Sequence, residues 1–382
     1  MPTSALRRAA AARAGRCAGV LALVGALLAG CATEPPRPAP RAMTAGEARE
    51  LIDAALPANV SDRPGWVADI YAGFVAHDVA PGPESVCAVM AVIQQESGFR
   101  VNPVVPGLGG LTLREIERRA DRIGVPALVV RTALRLPSGN GQSFLERIEA
   151  AKTEKELSDI FQDLIGAVPM GRRLFADWNP IRTRGPMQVN VEFAEALASS
   201  KPYPYPAPRG IAEELFTRRG SVYFGIAHLL AYDAPYDRLL YRFADYNAGQ
   251  YASRNAAFQR AASSASGIPL VADGALLARD SSARGAGSTL LAVRSMAGRL
   301  GLGERDIEAA LERGRRADFA ETRLYRRVFE LAEEAEGRPL PRAQVPRIQL
   351  EGAKISRPLT NEWFANSVNG HHRRCMDRLA AG

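Results

Sequence analysis

The chain has 382 residues, 47% hydrophobic and 24% charged, a globular balance with length for one large domain or two modest ones. Its formal net charge is +8, but Arg7, Arg8, Arg13 and Arg16 lie in an acid-free opening stretch, so residues 31–382 carry only +4. That mild charge, with no basic block carrying interleaved aromatics, excludes a nucleic-acid binder.

The opening stretch reads as an address. Its arginines precede "CAGVLALVGALLAG" (residues 17–30), fourteen uncharged and mostly apolar residues. A spanning helix needs about 20, whereas this is the length of a signal-peptide apolar region; an N-terminal membrane anchor is the alternative. The run ends in "LAGC" (Leu28–Cys31), which resembles the bacterial lipobox. The resemblance implies cleavage before Cys31 and acyl chains on it, a stable anchor when more than one chain is attached. Ala32, where an Asp would retain the protein at the inner membrane, implies the outer membrane. "EPPRPAPR" (34–41) has four prolines in eight residues and predicts a semi-rigid spacer.

Of four cysteines, Cys17 leaves with the signal peptide and Cys31 is lipidated. Cys87 and Cys375 remain, and an exported pair in an oxidising compartment is a disulfide candidate. Two buried free thiols are the alternative. Cys87 lies nine residues before Glu96, half a turn around a helix from it, so a bridge there leaves the Glu96 side open.

The body reads as mainly α. Capping-box patterns open helices at "TAGE" (44–47), "TLRE" (112–115), "TEKE" (153–156) and "DFAE" (318–321), the last running to about Gly337. "IPLV" (268–271) and "RIQL" (347–350) are the strand candidates, and loops are expected at 102–110, 180–185, 201–210 and 278–287. The division this predicts is a signal peptide (1–30), a Pro-rich linker (31–43), a main domain (44–277) with a helical insertion (112–168), and a C-terminal helical extension (278–382). His77, His228, His371 and His372 have no partner at metal spacing. No phosphate loop or nucleophile elbow occurs, and no metal or cofactor is expected.

Residues 84–97 read "ESVCAVMAVIQQES". Val86, Val89, Met90 and Ile93 form one helical stripe, and Glu96, three residues beyond Ile93, continues it. Apolar surroundings and the negative end of a helix both favour a protonated carboxyl, the form a general acid needs. A capped or frayed surface glutamate is the bland alternative.

Two later stretches bear on that choice. Glu-Ser-x-Phe at 96–99, Gly-x-Met-Gln at 185–188 and Tyr-Asn-Ala-Gly at 246–249, in that order, resemble the lytic transglycosylases of the goose-lysozyme-like superfamily. The whole chain also looks like a proteobacterial lipoprotein family. The resemblance implies a lysozyme-like helical domain. It implies that Glu96 is the single catalytic acid/base, that Ser97 orients the site or substrate, and that Met187 and Gln188 line the sugar cleft. It further implies that the Tyr246 hydroxyl bonds the catalytic carboxylate, with Asn247 beside it. The family keeps the acid and the Met-Gln motif about twenty residues apart; here 92 residues separate Glu96 from Gln188, and Pro186 stands where Leu is usual.

The implied reaction cleaves the bond between N-acetylmuramic acid and N-acetylglucosamine, giving 1,6-anhydromuropeptides. The expected partners are peptidoglycan glycan strands and, through the lipid, the membrane, with no nucleic acid. A lysozyme-type hydrolase would need a second carboxylate, for which Asp245 is the nearest candidate. A non-catalytic peptidoglycan-binding lipoprotein is the other alternative. The insertion is expected to pack beside the cleft or to form a remote subdomain.

Overall fold

The computed structural model describes residues 43–167, 179, 181–277, 286–350 and 357–381. The signal peptide, Cys31, the Pro-rich spacer and most of the 278–287 loop lie outside the described residues. The fold is mainly helical, as the capping pattern predicts.

Helix α1 (Ala45–Ala55) opens with the predicted capping box: Thr44 Oγ1 accepts from the Glu47 amide, and the Glu47 carboxylate accepts from the Thr44 amide at 2.7 Å. Helix α2 (Arg63–Ala76) starts at Asp62 with Pro64 in its first turn. Helix α3 (Pro83–Glu96) is the axis of the first core. All eight residues from Val86 to Ile93 are at most 2% exposed, so the helix is buried on every side. Burying Val86, Val89, Met90, Val92 and Ile93 contributes on the order of 10 kcal/mol before chain entropy. The single stripe inferred above is therefore too narrow a description of this helix.

Helices α4 (Leu108–Arg122), α5 (Ala127–Leu134), α6 (Phe144–Ala150) and α7 (Glu154–Ala167) share a small core of Leu108, Leu113, Leu134, Phe144, Ile148, Leu157 and Ile160. The "TLRE" pattern misplaces the start of α4. The helix begins a turn earlier, after Gly107, and Thr112 is buried within it. Tertiary packing decides this: Gly109 lies so close to the Ile148 and Glu149 backbone that any Cβ would collide. Thr153 caps α7 as "TEKE" predicts.

Strands β1 (Thr183–Arg184) and β2 (Val189–Asn190) form a short antiparallel hairpin that no sequence signal announces. Two-residue strands are too short to show alternation. Helix α8 (Val191–Ser200) follows, capped by Asn190. Then α9 (Arg218–Leu230) and α10 (Leu239–Ala248) return to the first core through Phe224, Ile226, Leu229, Phe243 and Tyr246.

Helix α11 (Ala252–Ser266) faces a second core, made with α12 (Ala286–Ser295), α13 (Glu304–Glu312) and α14 (Arg323–Glu336) around Phe258, Phe319, Val328 and Phe329. "DFAE" opens a 3-10 turn (Ala317–Glu321); Thr322 caps α14 instead, its hydroxyl accepting from the Tyr325 amide, while Asp318 pairs with Arg313. Part of "RIQL" is strand β3 (Gln349–Leu350), paired with β4 (Leu359–Thr360). "IPLV" is not a strand; Leu270 packs on the second core.

The last helix, α15 (Asn361–Ala381), belongs to the first core: Phe364, Ala365, Val368 and Cys375 are buried there. The predicted C-terminal extension is thus divided between two cores, and residues 44–382 form one unit. Cys87 and Cys375 are disulfide-bonded, with Cα atoms 5.5 Å apart. This bridge pins α15 along α3. Replacing both cysteines by alanine is expected to cost about 2–4 kcal/mol, seen as a drop of several degrees in the thermal midpoint. An unchanged midpoint would show that helix packing alone holds α15.

Candidate active site

Helix α3 stops at Glu96 because the chain reverses there. Gly98 and Phe99 both take left-handed backbone angles, φ +57° and +63°. A bulky residue rarely adopts that region; Phe99 is held there by burial and an edge-on contact with Trp66, ring centres 5.3 Å apart. Ser97 is buried, and its hydroxyl donates to the Ile93 carbonyl at 3.1 Å. That hydroxyl closes the last turn of its own helix and is not turned toward a cleft. Glu96 is half-buried.

The turn Gly185–Gln188 joins β1 to β2. The Met187 side chain is fully buried in the first core, against Gly225, so it does not line a cleft. Only its backbone meets the site. The Met187 amide donates to Ser221 Oγ at 3.0 Å, and the Met187 carbonyl accepts from the Tyr246 hydroxyl at 2.7 Å. The single proton of Tyr246 therefore goes to a carbonyl where the family resemblance puts a carboxylate. Glu96 is nonetheless within electrostatic reach: burial pushes the Tyr246 hydroxyl well above its ordinary range, and the Glu96 charge pushes it further.

Gln188 takes φ +49° and is half-buried. Its amide nitrogen donates to Glu154 at 3.0 Å and to the Gly185 carbonyl, while its oxygen accepts from the Thr183 hydroxyl at 2.8 Å. Glu154 opens α7, so the insertion meets the fold beside the Gln188 turn. Arg184, in the basic stretch before that turn, is buried. It donates to Glu213 and the Ala212 carbonyl, and Lys155 of α7 pairs with the same Glu213.

Asn247 is exposed, at the end of α10, and donates to Asn361 at 2.9 Å. Asn361 is fully buried and donates to the Ala244 carbonyl. Six residues further along α15, the Ser367 hydroxyl donates to Gln95, the neighbour of Glu96, at 2.6 Å. The Ser367–Gln95 and Cys375–Cys87 links make α15 antiparallel to α3 and place its first turn at the Glu96 end. Trp363, 39% exposed, stands on that turn with Arg357 over its ring. No sequence signal marks Asn361, Trp363 or Ser367, because they lie more than 260 residues beyond Glu96.

Two titratable neighbours resolve differently from a second acid. Asp245 is 1% exposed and accepts from the Tyr232 and Tyr236 hydroxyls and the Tyr251 and Ser253 amides. It is a buried cap for α11, which removes it as a cleft carboxylate. His228 packs on Tyr246, with Nε2 3.0 Å from the Tyr246 carbonyl. Burial pulls its pKa down to about 4, so the ring is neutral at pH 7. Among the described residues, no group of three His, Cys, Asp or Glu side chains could hold a metal ion, and no helix is long and apolar enough to cross a membrane.

No solved structure matches this chain. The "Uncharacterized protein YaiW" of Escherichia coli (strain K12) is 47% identical over 350 residues, covering 92% of this chain and 95% of that protein. Residues 59–378 match the family described as "Protein of unknown function (DUF1615)", and the chain belongs to that family.

Proposed function

We propose that the protein is a peptidoglycan lytic transglycosylase, anchored by lipid on Cys31 to the periplasmic face of the outer membrane. The observation that carries this reading is the position of Glu96. It is half-buried at the end of a helix enclosed by the first core, within electrostatic reach of Tyr246, whose hydroxyl clamps the Met187–Gln188 turn. Glu96 protonates the glycosidic oxygen as the bond to muramyl C1 breaks. The resulting carboxylate takes the proton of the muramyl C6 hydroxyl, whose oxygen bonds to C1. No water is consumed, and the acid is regenerated. The loss of Asp245 as a second carboxylate favours this one-acid route over hydrolysis.

A second reading, a non-catalytic peptidoglycan-binding lipoprotein, draws on the commitment of the Ser97, Gln188 and Asn247 side chains to protein partners. Digestion of purified sacculi with mass analysis of the products separates the readings. Transglycosylation leaves 1,6-anhydro ends, hydrolysis leaves reducing ends, and a binding protein leaves the sacculi intact. For the anchor, Cys31→Ala should remain an unprocessed precursor that takes up no labelled fatty acid. Label retained by that variant would overturn the lipid assignment.

A further inference from the structure

A cavity of about 370 Å³ lies where the loop before α10 and the start of α11 meet α14, apart from Glu96. Its volume is within the range of small-molecule sites, about 300–1,000 Å³. Four tyrosines line it: Tyr236, Tyr241, Tyr251 and Tyr325. Tyr251 is fixed there with φ +67°, a conformation rare for a side chain of that size. Its amide and the Tyr236 hydroxyl are both held by the buried Asp245 carboxylate. The wall is therefore preorganised.

Several polar groups on its lining are not used by the fold. The hydroxyls of Tyr241, Tyr251 and Tyr325 make no hydrogen bond among the described residues, although Tyr251 and Tyr325 are each only 6% exposed. Asp233 and Asp237, on the lining, form no ion pair among the described residues. The positive charges beside them are committed. Arg254 spends its donors on the Gly314, Arg316 and Ala317 carbonyls and on Asn255, and Arg342 pairs with Glu333.

These groups select a ligand class. Phenols and carboxylates together call for a ligand rich in hydroxyl donors, and aromatic walls suit its apolar ring faces. An anion would meet Asp233 and Asp237. A cation would find two of the four aromatic faces already taken by guanidinium, Arg254 at 4.3 Å from the Tyr251 ring centre and Arg238 at 5.9 Å from that of Tyr241. We propose that this cavity is a binding site for a neutral mono- or disaccharide, separate from the site at Glu96. It stands whether or not Glu96 is catalytic.

The test uses the full-length protein in detergent, with N-acetylglucosamine, di-N-acetylchitobiose and maltose as probes and cadaverine and acetate as charged controls. Saturation-transfer NMR and titration calorimetry should show binding of at least one neutral saccharide, assigned to this cavity by substitutions in its lining. The double variant Tyr241→Phe/Tyr325→Phe removes two hydroxyls that have no protein partner. It should keep the wild-type thermal midpoint and lose about tenfold in saccharide affinity. Asp237→Asn, at an exposed position, should also weaken binding and serves if the double variant fails to fold. No saccharide bound at millimolar concentration, affinity unmoved by these substitutions, or preference for either charged control would overturn the proposal.

Discussion

Glu96→Gln is expected to lower turnover of sacculi by about 10³-fold or more while leaving glycan binding nearly intact. General acid and general base catalysis each contribute about 10²–10⁴-fold, and in the proposed route one carboxyl serves as both. Glutamine keeps the shape and the half-buried position at the end of α3 but can neither give up a proton nor accept one. Binding should persist because the amide adds no charge and removes no volume. Co-sedimentation with sacculi measures the binding, and anhydromuropeptide release measures the turnover. Full activity in Glu96→Gln would refute the assignment. Intact sacculi with both proteins would favour the binding lipoprotein.

Gly185→Ala is expected to be the most damaging single substitution in the Gln188 turn, at about 2–5 kcal/mol. Gly185 has φ +74°, and an added Cβ would run into the Leu215 carbonyl oxygen and meet Ser221 Cβ at 2.7 Å. The left-handed backbone alone costs about 1–2 kcal/mol for a residue with a Cβ, and overpacking adds about 1–3. Ser221 cannot yield freely, because its hydroxyl accepts the Met187 amide. Gly267→Ala is the matched control: φ is +73°, and nothing lies within 4 Å of the added carbon. It should show the conformational cost only. Thermal or urea unfolding of the two variants decides the point, and equal losses would show that the turn has room.

The helical class, the caps at Thr44 and Thr153 and the Cys87–Cys375 pair were legible in the sequence because each rests on local pattern or on cysteine arithmetic. The order of three short motifs singles out Glu96, Gln188 and Tyr246 as candidates. What those motifs could not show is which atoms face inward. Met187 and Ser97 are drawn into packing and helix closure, and Tyr246 gives its proton to a backbone carbonyl. Nor does a place on one apolar stripe distinguish Glu96, since a helix buried on all sides makes every continuation apolar. Asn361 and Ser367 were out of reach of any window, because only the folded chain brings α15 beside α3. Thr112 failed for a similar reason: its pattern is a good cap, but the fit of Gly109 against α6 begins the helix earlier.

The return of α15 to the first core fixes the order in which the molecule can be completed. Synthesis delivers α3 well before residues 361–375. Until α15 arrives, the flank of α3 that carries Cys87 has no cover, and the bridge across 288 residues has no second sulfur. So distant a closure is slow to find, and a chain cut before α15 would display the apolar face of α3 to chaperones and proteases. Gln95 and Asn247 gain their Ser367 and Asn361 partners at the same late moment. The Glu96 end is therefore assembled only after α15 has been made, which ties any activity there to a product that carries this helix.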